Sequence, residues 1–206
     1  MAIKVAVIGM GGIGNTHATC YKENPLAELI AVCDINKQKA DDAAEKFGVK
    51  AFYSIKDMFE QCPEIEAVSV CTSGYDNGSM HFEPSMMALD AGKHVLVEKP
   101  ICADIDDARE LVAFAARKGL YLGNDLNHYF TDTAARAKQM QNDGKIGQLV
   151  YCICKSGFNG WEGDYHGKMS PRWQTPYSHL KAYCAHPFSV MRYFCGDISG
   201  VQAFLD

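Results

Sequence analysis

The sequence has no run of about 18 apolar residues, so no segment reads as a membrane-spanning helix. It has no excess of positive charge. Twenty Lys and Arg stand against 25 Asp and Glu, a net charge of −5, and their even spread argues against nucleic acid or an anionic membrane as partner. Repeats and low-complexity stretches are missing, and at 48% hydrophobic and 22% charged residues the disordered and fibrous classes are excluded. Met1-Ala2 leads straight into the apolar run Ile3 to Ile8, leaving no space for the basic and apolar regions of a secretory leader. A cytoplasmic location is therefore expected. Paired Cys-x-x-Cys spacings are absent as well. The nine cysteines sit inside apolar runs, as Cys33, Cys71, Cys152 and Cys154 do, or near helix ends. That pattern fits buried thiols in a reducing compartment and implies no disulfide framework. Cys152 and Cys154, two apart on an expected strand, share a face and leave a metal contact open, although no metal is expected.

The 206 residues amount to one large domain or one and a half. Through the first 120 residues, short apolar runs alternate with helical stretches. Ile3 to Ile8, Leu29 to Cys33, Ala67 to Cys71, His94 to Val97 and Leu120 to Leu122 read as buried parallel strands. Helices are expected around 13–23, 37–47, 55–61, 82–91 and 104–118. In the last, Ile105, Ala108, Leu111, Val112 and Ala115 keep helical spacing, Asp104 suits the N-cap and Gly119 closes it. This is an α/β pattern with a parallel sheet covered on both faces. From about residue 124 the pattern changes. A helix over 132–142, an alternating strand from Gln148 to Lys155, a Gly-, Trp-, Tyr-, Ser- and Pro-rich stretch, a helix up to Cys195-Gly196 and a strand from Gly200 to Leu205 follow. Two domains are expected, 1–123 and 124–206.

Gly9-Met10-Gly11-Gly12-Ile13-Gly14 follows the first strand and opens the first helix. Glycines there permit a tight turn, close approach of the backbone to a pyrophosphate and close helix packing, while the helix N-terminus offers free N–H groups. Asp34 lies 20 residues beyond Gly14, at the end of the second strand, where a carboxylate accepts hydrogen bonds from ribose hydroxyls and repels a 2′-phosphate. Only Lys37 nearby offsets that repulsion, so NAD is expected over NADP. A plain glycine-rich turn and a helix-capping Asp34 are the alternatives.

Ala88-Leu89-Asp90-Ala91-Gly92-Lys93-His94-Val95-Leu96-Val97-Glu98-Lys99-Pro100 resembles the signature of the glucose-fructose oxidoreductase, inositol dehydrogenase and rhizopine catabolism (Gfo/Idh/MocA) family. The resemblance extends to His17-Ala18, His81, Asn127-His128-Tyr129-Phe130, Gly144-Lys145-Ile146-Gly147 and His186-Pro187. It implies a Rossmann dinucleotide-binding domain followed by the start of an α+β, mostly antiparallel-sheet substrate domain. It also implies hydride transfer between a nicotinamide and the secondary alcohol carbon of a sugar, cyclitol or related polyol. Glu98-Lys99-Pro100 falls at the carboxyl end of a parallel strand, where the Lys99 ammonium points into the ligand crevice and stabilises developing alkoxide charge. On the resemblance, Pro100 is a cis proline, His81 lies near the nicotinamide and Thr72-Ser73 edges the cofactor, without the usual proline. Tyr129 stands where relatives often have Arg.

Relatives usually carry a triple glycine, then Asp-x-Gly-x-His with the histidine as proton carrier. Alignment of that histidine with His186 puts Ala182 at the aspartate and Cys184 at the glycine, and the triple glycine is absent. On one continuous helix, His179, Tyr183 and His186 share a side, whereas Lys181 lies about 140° from His186 unless Pro187 bends or starts the helix. The stretch from His179 through Val190 to Asp197 resembles a subgroup with His at the position of His179 and a basic residue at that of Lys181. His186 is thus the candidate general acid/base, with His179 or Tyr183 orienting the substrate. The alternatives are a packed face of satisfied imidazoles, and a metal site of His179, Cys184 and His186 that lacks carboxylates. Trp161, Arg172, Trp173 and Tyr177 line a sugar-sized pocket or lie on the surface.

A dinucleotide-binding protein without turnover remains the other functional class, because the aspartate is missing. Two strands with one covering helix do not make a stable open sheet. The chain is therefore expected to be the N-terminal portion of a longer enzyme that assembles into homo-oligomers through its second-domain sheet, or to leave a bare sheet edge near Phe204.

Overall fold

The computed structural model describes residues 1–73, 80–155 and 183–204. Six strands, β1 (Ile3–Ile8), β2 (Ala27–Cys33), β3 (Lys50–Phe52), β4 (Ala67–Val70), β5 (His94–Val97) and β6 (Leu122–Asn124), alternate with helices. They form one sheet in the order β3-β2-β1-β4-β5-β6, every pairing parallel. The helices are α1 (Gly12–Glu23), α2 (Lys37–Phe47), α3 (Ile55–Gln61), α4 (Phe82–Asp90), α5 (Ile105–Lys118), α6 (Asp132–Asn142) and α7 (Ala185–Cys195), with a 3-10 turn at Asn127–Tyr129.

Strand alternation sorts the central β1 onto two cores. Val5 and Val7 pack with Ala18, Ala43 and Phe47 from α1 and α2. Ala6 and Ile8 face the opposite cluster, with Met58, Leu89 and Leu111 from α3, α4 and α5. The doubly wound sheet expected from the sequence is present. Asp104 caps α5 by accepting from the Asp106 and Asp107 N–H groups, and Gly119 closes it at φ 67°.

Several elements differ from expectation. β3 was not expected. β6 begins at Leu122 rather than Leu120, because the Leu120 N–H is spent on the Ala115 carbonyl at 3.0 Å as the chain leaves α5. Among the described residues, 148–155 and 200–204 form no strands. No described segment runs beside them to complete a ladder, and Val150, Tyr151, Ile153 and Phe204 are exposed. Helix α7 starts only at Ala185, with Pro187 in its first turn, where a missing N–H is tolerated. Tyr183 is helical just before that start, and Cys184 between them keeps right-handed helical angles at φ −66° and ψ −20°. His179, Lys181, Ala182, Trp161, Arg172, Trp173 and Tyr177 lie outside the described residues. All nine cysteines are free, and Cys152 and Cys154 do not sit on a strand. No helix among the described residues is long and apolar enough to cross a membrane.

Candidate active site

The strand order reverses between β1 and β4, and a doubly wound sheet opens a ligand crevice at that point beyond the strands' carboxyl ends. Gly9 stands there at φ +94°, so close to the end of β4 that a Cβ would meet Cys71 C and Thr72 N at 2.8 Å. A Cβ on Gly14 would lie 1.9 Å from the Gly9 carbonyl oxygen, which makes Gly14 the point where α1 presses on its own loop. Gly11 and Gly12 have nothing within 4 Å of a built Cβ. The N-cap Gly11 supplies no side-chain cap, and the first turn of α1 holds no acidic residue. The first N–H groups of α1 and their positive dipole end thus face open space, with Ile13, 44% exposed, beside it. This cradle fits a pyrophosphate.

Asp34 follows β2. Its Oδ2 accepts from the Met10 N–H at 2.7 Å and its Oδ1 from the Asn36 N–H at 2.8 Å, so the same carboxylate shapes the glycine loop and places negative charge on its rim. The Lys37 ammonium sits 5.2 Å from the centre of the Tyr53 ring. These residues fit NAD and disfavour a 2′-phosphate. Replacing Asp34 by Ala removes both loop acceptors and the rim charge. NADH affinity, followed by fluorescence titration, is expected to fall about ten- to hundredfold, with NADPH affected less.

Lys99 follows β5 and is joined to Pro100 by a cis peptide bond. Its ammonium lies 5.5 Å from the centre of the Tyr183 ring. Its backbone N–H donates to Glu98 Oε2 at 3.1 Å, and the Asn124 amide donates to the Val97 and Glu98 carbonyls at 3.1 and 3.2 Å. The turn that carries Lys99 is thereby fixed from both sides.

His81, 2% exposed, caps α4. Its ring lies between the Pro100 carbonyl at 2.7 Å and the Thr72 carbonyl at 2.5 Å, joining the loop after β4 to the turn after β5. Burial pulls its pKa down against those two carbonyls. Thr72 Oγ1 donates to the Met80 carbonyl at 2.7 Å, and Ser73 beside it is exposed.

His186, in the first turn of α7, stacks on His128 with ring centroids 3.9 Å apart and planes 10° from parallel. Burial, then His128, then Lys99 lower its pKa, against the opposing pull of Glu98 and Asp125. Its Nδ1 is buried with no hydrogen-bond partner among the described residues. Lys99 and Tyr183 thus lie near each other, and the Lys99 charge reaches His186, although they come from segments far apart in sequence. A cavity of about 510 Å³ lined by Pro100, Tyr129 and Phe188 includes neither Lys99 nor His186.

A buried cluster missed by sequence reasoning lies beneath. His17 of α1, 8% exposed, places Nδ1 3.1 Å from Ser69 Oγ and Nε2 3.2 Å from Glu98 Oε1, with Asp125 Oδ2 at 3.3 Å. Burial alone would lower its pKa. The bonds to Asp125, Cys71 and Glu98 outweigh burial and push it up to about 12. The bond from His17 holds the Asp125 carboxyl below its usual range, against burial. The one sequence signal was His17-Ala18 after the glycine motif, which named a position without its partners.

A family model described as an oxidoreductase family with an NAD-binding Rossmann fold, GFO_IDH_MocA, matches residues 3–126. D-glucoside 3-dehydrogenase of Escherichia coli (strain K12) is 30% identical over 164 residues, 77% of this chain and 46% of that protein. Levoglucosan dehydrogenase of Pseudarthrobacter phenanthrenivorans is 25% identical over 98% of this chain and 54% of its own length. Among solved structures, scyllo-inositol dehydrogenase from Lactobacillus casei with bound NAD(H) and scyllo-inositol is similar with a TM-score of 0.65 and 31% identity, over 71% of this chain and 43% of that one. A 3-ketoreductase from Actinomadura kijaniata in complex with NADP gives 0.63 and 29%, over 72% and 46%. The chain spans about half the length of the curated relatives it matches. The glycine cradle at the sheet's switch point, the Glu98-Lys99-Pro100 turn and the family match over most of the chain agree, and the protein belongs to the Gfo/Idh/MocA oxidoreductase family.

Proposed function

We propose that this chain binds NAD and serves an oxidoreductase that moves a hydride between the nicotinamide and a secondary alcohol carbon of a sugar or cyclitol. The observation that supports this reading is Lys99 just after β5, 5.5 Å from the Tyr183 ring and with its charge felt at His186, in the same sheet whose switch point carries the glycine cradle. Bound NAD supplies the hydride acceptor. Gly9, Gly11, Gly12, Ile13 and Gly14 hold its pyrophosphate, Asp34 its ribose, and Thr72, Ser73, His81 and Glu98 shape the turns around it. The Lys99 ammonium binds the substrate hydroxyl and stabilises the alkoxide as the O–H proton leaves. His186, kept neutral by burial and by the flanking His128 and Lys99, receives that proton. Tyr183 or His179 orients the substrate in place of the aspartate replaced by Ala182.

Mixed with NAD and a panel of inositols, glucose, glucosides and anhydrosugars, the protein is expected to raise absorbance at 340 nm with at least one. Binding of NAD with no reduction across the panel overturns hydride transfer and leaves a dinucleotide-binding module. Within the active reading, His186→Ala lowers turnover about a hundredfold or more. His186 must be neutral to accept a proton. The acid limb of kcat/KM for oxidation is therefore expected below about 6.5, the ordinary histidine value, and a limb above that value contradicts the assignment.

A further inference from the structure

The buried cluster beneath Lys99 joins the turn that carries that lysine to the helix that follows the glycine loop. His17 stands on α1, one and a half turns past the N-terminus that faces the dinucleotide. Its ring passes beside Ser69 of β4 to reach Glu98 at the end of β5 and Asp125 just after β6. Tyr21, a turn further along α1, meets the same Ser69 hydroxyl at 2.5 Å. Glu98 uses its other oxygen to accept the Lys99 N–H at 3.1 Å. One continuous chain of polar contacts therefore runs from α1 to the backbone of Lys99.

Charge decides what the ring must be. Two carboxylates on the same nitrogen, both largely removed from water, repel each other unless a cation stands between them. The Nε2–H is shared between Glu98 and Asp125, while Nδ1 either accepts from the Ser69 hydroxyl or donates to it, so hydrogen bonding alone permits either ring form. The paired carboxylates favour the imidazolium. The other titratable groups turned toward the ring are Cys71 after β4 and Tyr21 on α1, and burial pushes the pKa of each upward, so both stay neutral beside it.

We propose that His17 is a positioning residue: its imidazolium locks Glu98 and Asp125, fixes the turn that presents Lys99, and ties the placement of that lysine to the helix that receives the dinucleotide. This deepens the proposed function and rests on it for the role of Lys99. The same three ligand atoms lie within 4.8 Å of one another, so a divalent cation is the competing occupant.

The test uses the intact chain and three readouts. In nuclear magnetic resonance, the His17 ring signals are expected to stay those of an imidazolium from pH 6 to beyond pH 9, and the Lys99 amide proton to resonate downfield, as befits a donor to carboxylate. In His17→Gln that amide moves upfield, NADH affinity changes by less than about threefold, and kcat with an active polyol falls about ten- to hundredfold, the cost of a misplaced reacting group. Adding Asp125→Asn to His17→Gln removes the unmatched charge and restores part of kcat. A ring titrating near its ordinary value, an unmoved Lys99 amide, or kcat and NADH affinity falling together overturns the proposal. So does zinc or manganese bound one to one by the parent and lost in His17→Gln. If His17→Gln does not fold, the ring titration of the parent decides alone. If no polyol is turned over, the proposed function fails while the ring and amide signals still decide the positioning role.

Discussion

Replacing Lys99 by Met is expected to lower turnover about a hundred- to a thousandfold, the scale for loss of one charged group aimed at a developing oxyanion, with NADH affinity held within about threefold. Met keeps the length and apolar stem of Lys and removes the ammonium. The turn stays in place because its anchors are backbone bonds, the Lys99 N–H to Glu98 and the Asn124 amide to the Val97 and Glu98 carbonyls. Stopped-flow absorbance at 340 nm with the best polyol, alongside NADH titration, separates the two effects. A Met variant within about tenfold of the parent removes Lys99 from the chemistry.

The second large effect concerns the glycine loop. Gly14→Ala would set a methyl 1.9 Å from the Gly9 carbonyl oxygen and 3.0 Å from its carbon. Both are backbone, so no side chain can swing aside, and either α1 or the loop must shift. Overpacking of this kind costs about 3 kcal/mol or more, which for a chain of this size lowers Tm by roughly 6–12 °C. NADH binding is lost with it, because the same contact sets the height of the α1 N-terminus above the loop. Gly12→Ala is the matched control. Its Cβ meets nothing within 4 Å, so Tm holds, but the methyl stands where a pyrophosphate would approach and NADH binding weakens. Equal loss of Tm in both variants would show that Gly14 bears no special contact.

Much of this was legible in the sequence. The glycine spacing between β1 and α1, Asp34 after β2 and Lys99 after β5 are local signals, each set by a strand end and the turn that follows. The doubly wound sheet is legible for the same reason, since its strands are buried on both faces and read as unbroken apolar runs. β3 escaped because three residues carry no period. β6 slid by two residues because the closing turn of α5 takes the Leu120 N–H, a choice invisible in hydrophobicity. The expected strands over 148–155 and 200–205 followed alternation alone, which describes one strand and says nothing about a neighbour. The shared helical face of His179, Tyr183 and His186 assumed one continuous helix, and of these only Tyr183 and His186, on either side of Cys184, fall among the described residues. Hardest to see were His17 with Glu98 and Asp125, and His128 stacked on His186. Those partners are joined by the crossover topology, and no spacing in the chain records them.

The strand order is also a timetable. Chains emerge from the ribosome N-terminus first, at about 5–20 residues per second, and fold as they emerge. β1 pairs with β2 on one side and β4 on the other, so its first partner arrives well before its second. The β1-α1-β2-α2-β3 half, which carries the glycine loop and Asp34, is able to assemble while β4 and β5 are still being made. Until they arrive, the other edge of β1 stands open, a bare row of N–H and C=O groups on an apolar strand. The glycine loop and Asp34 are thus made first, and the loop's close seat against Cys71 and Thr72, like the residues proposed for chemistry, comes afterwards.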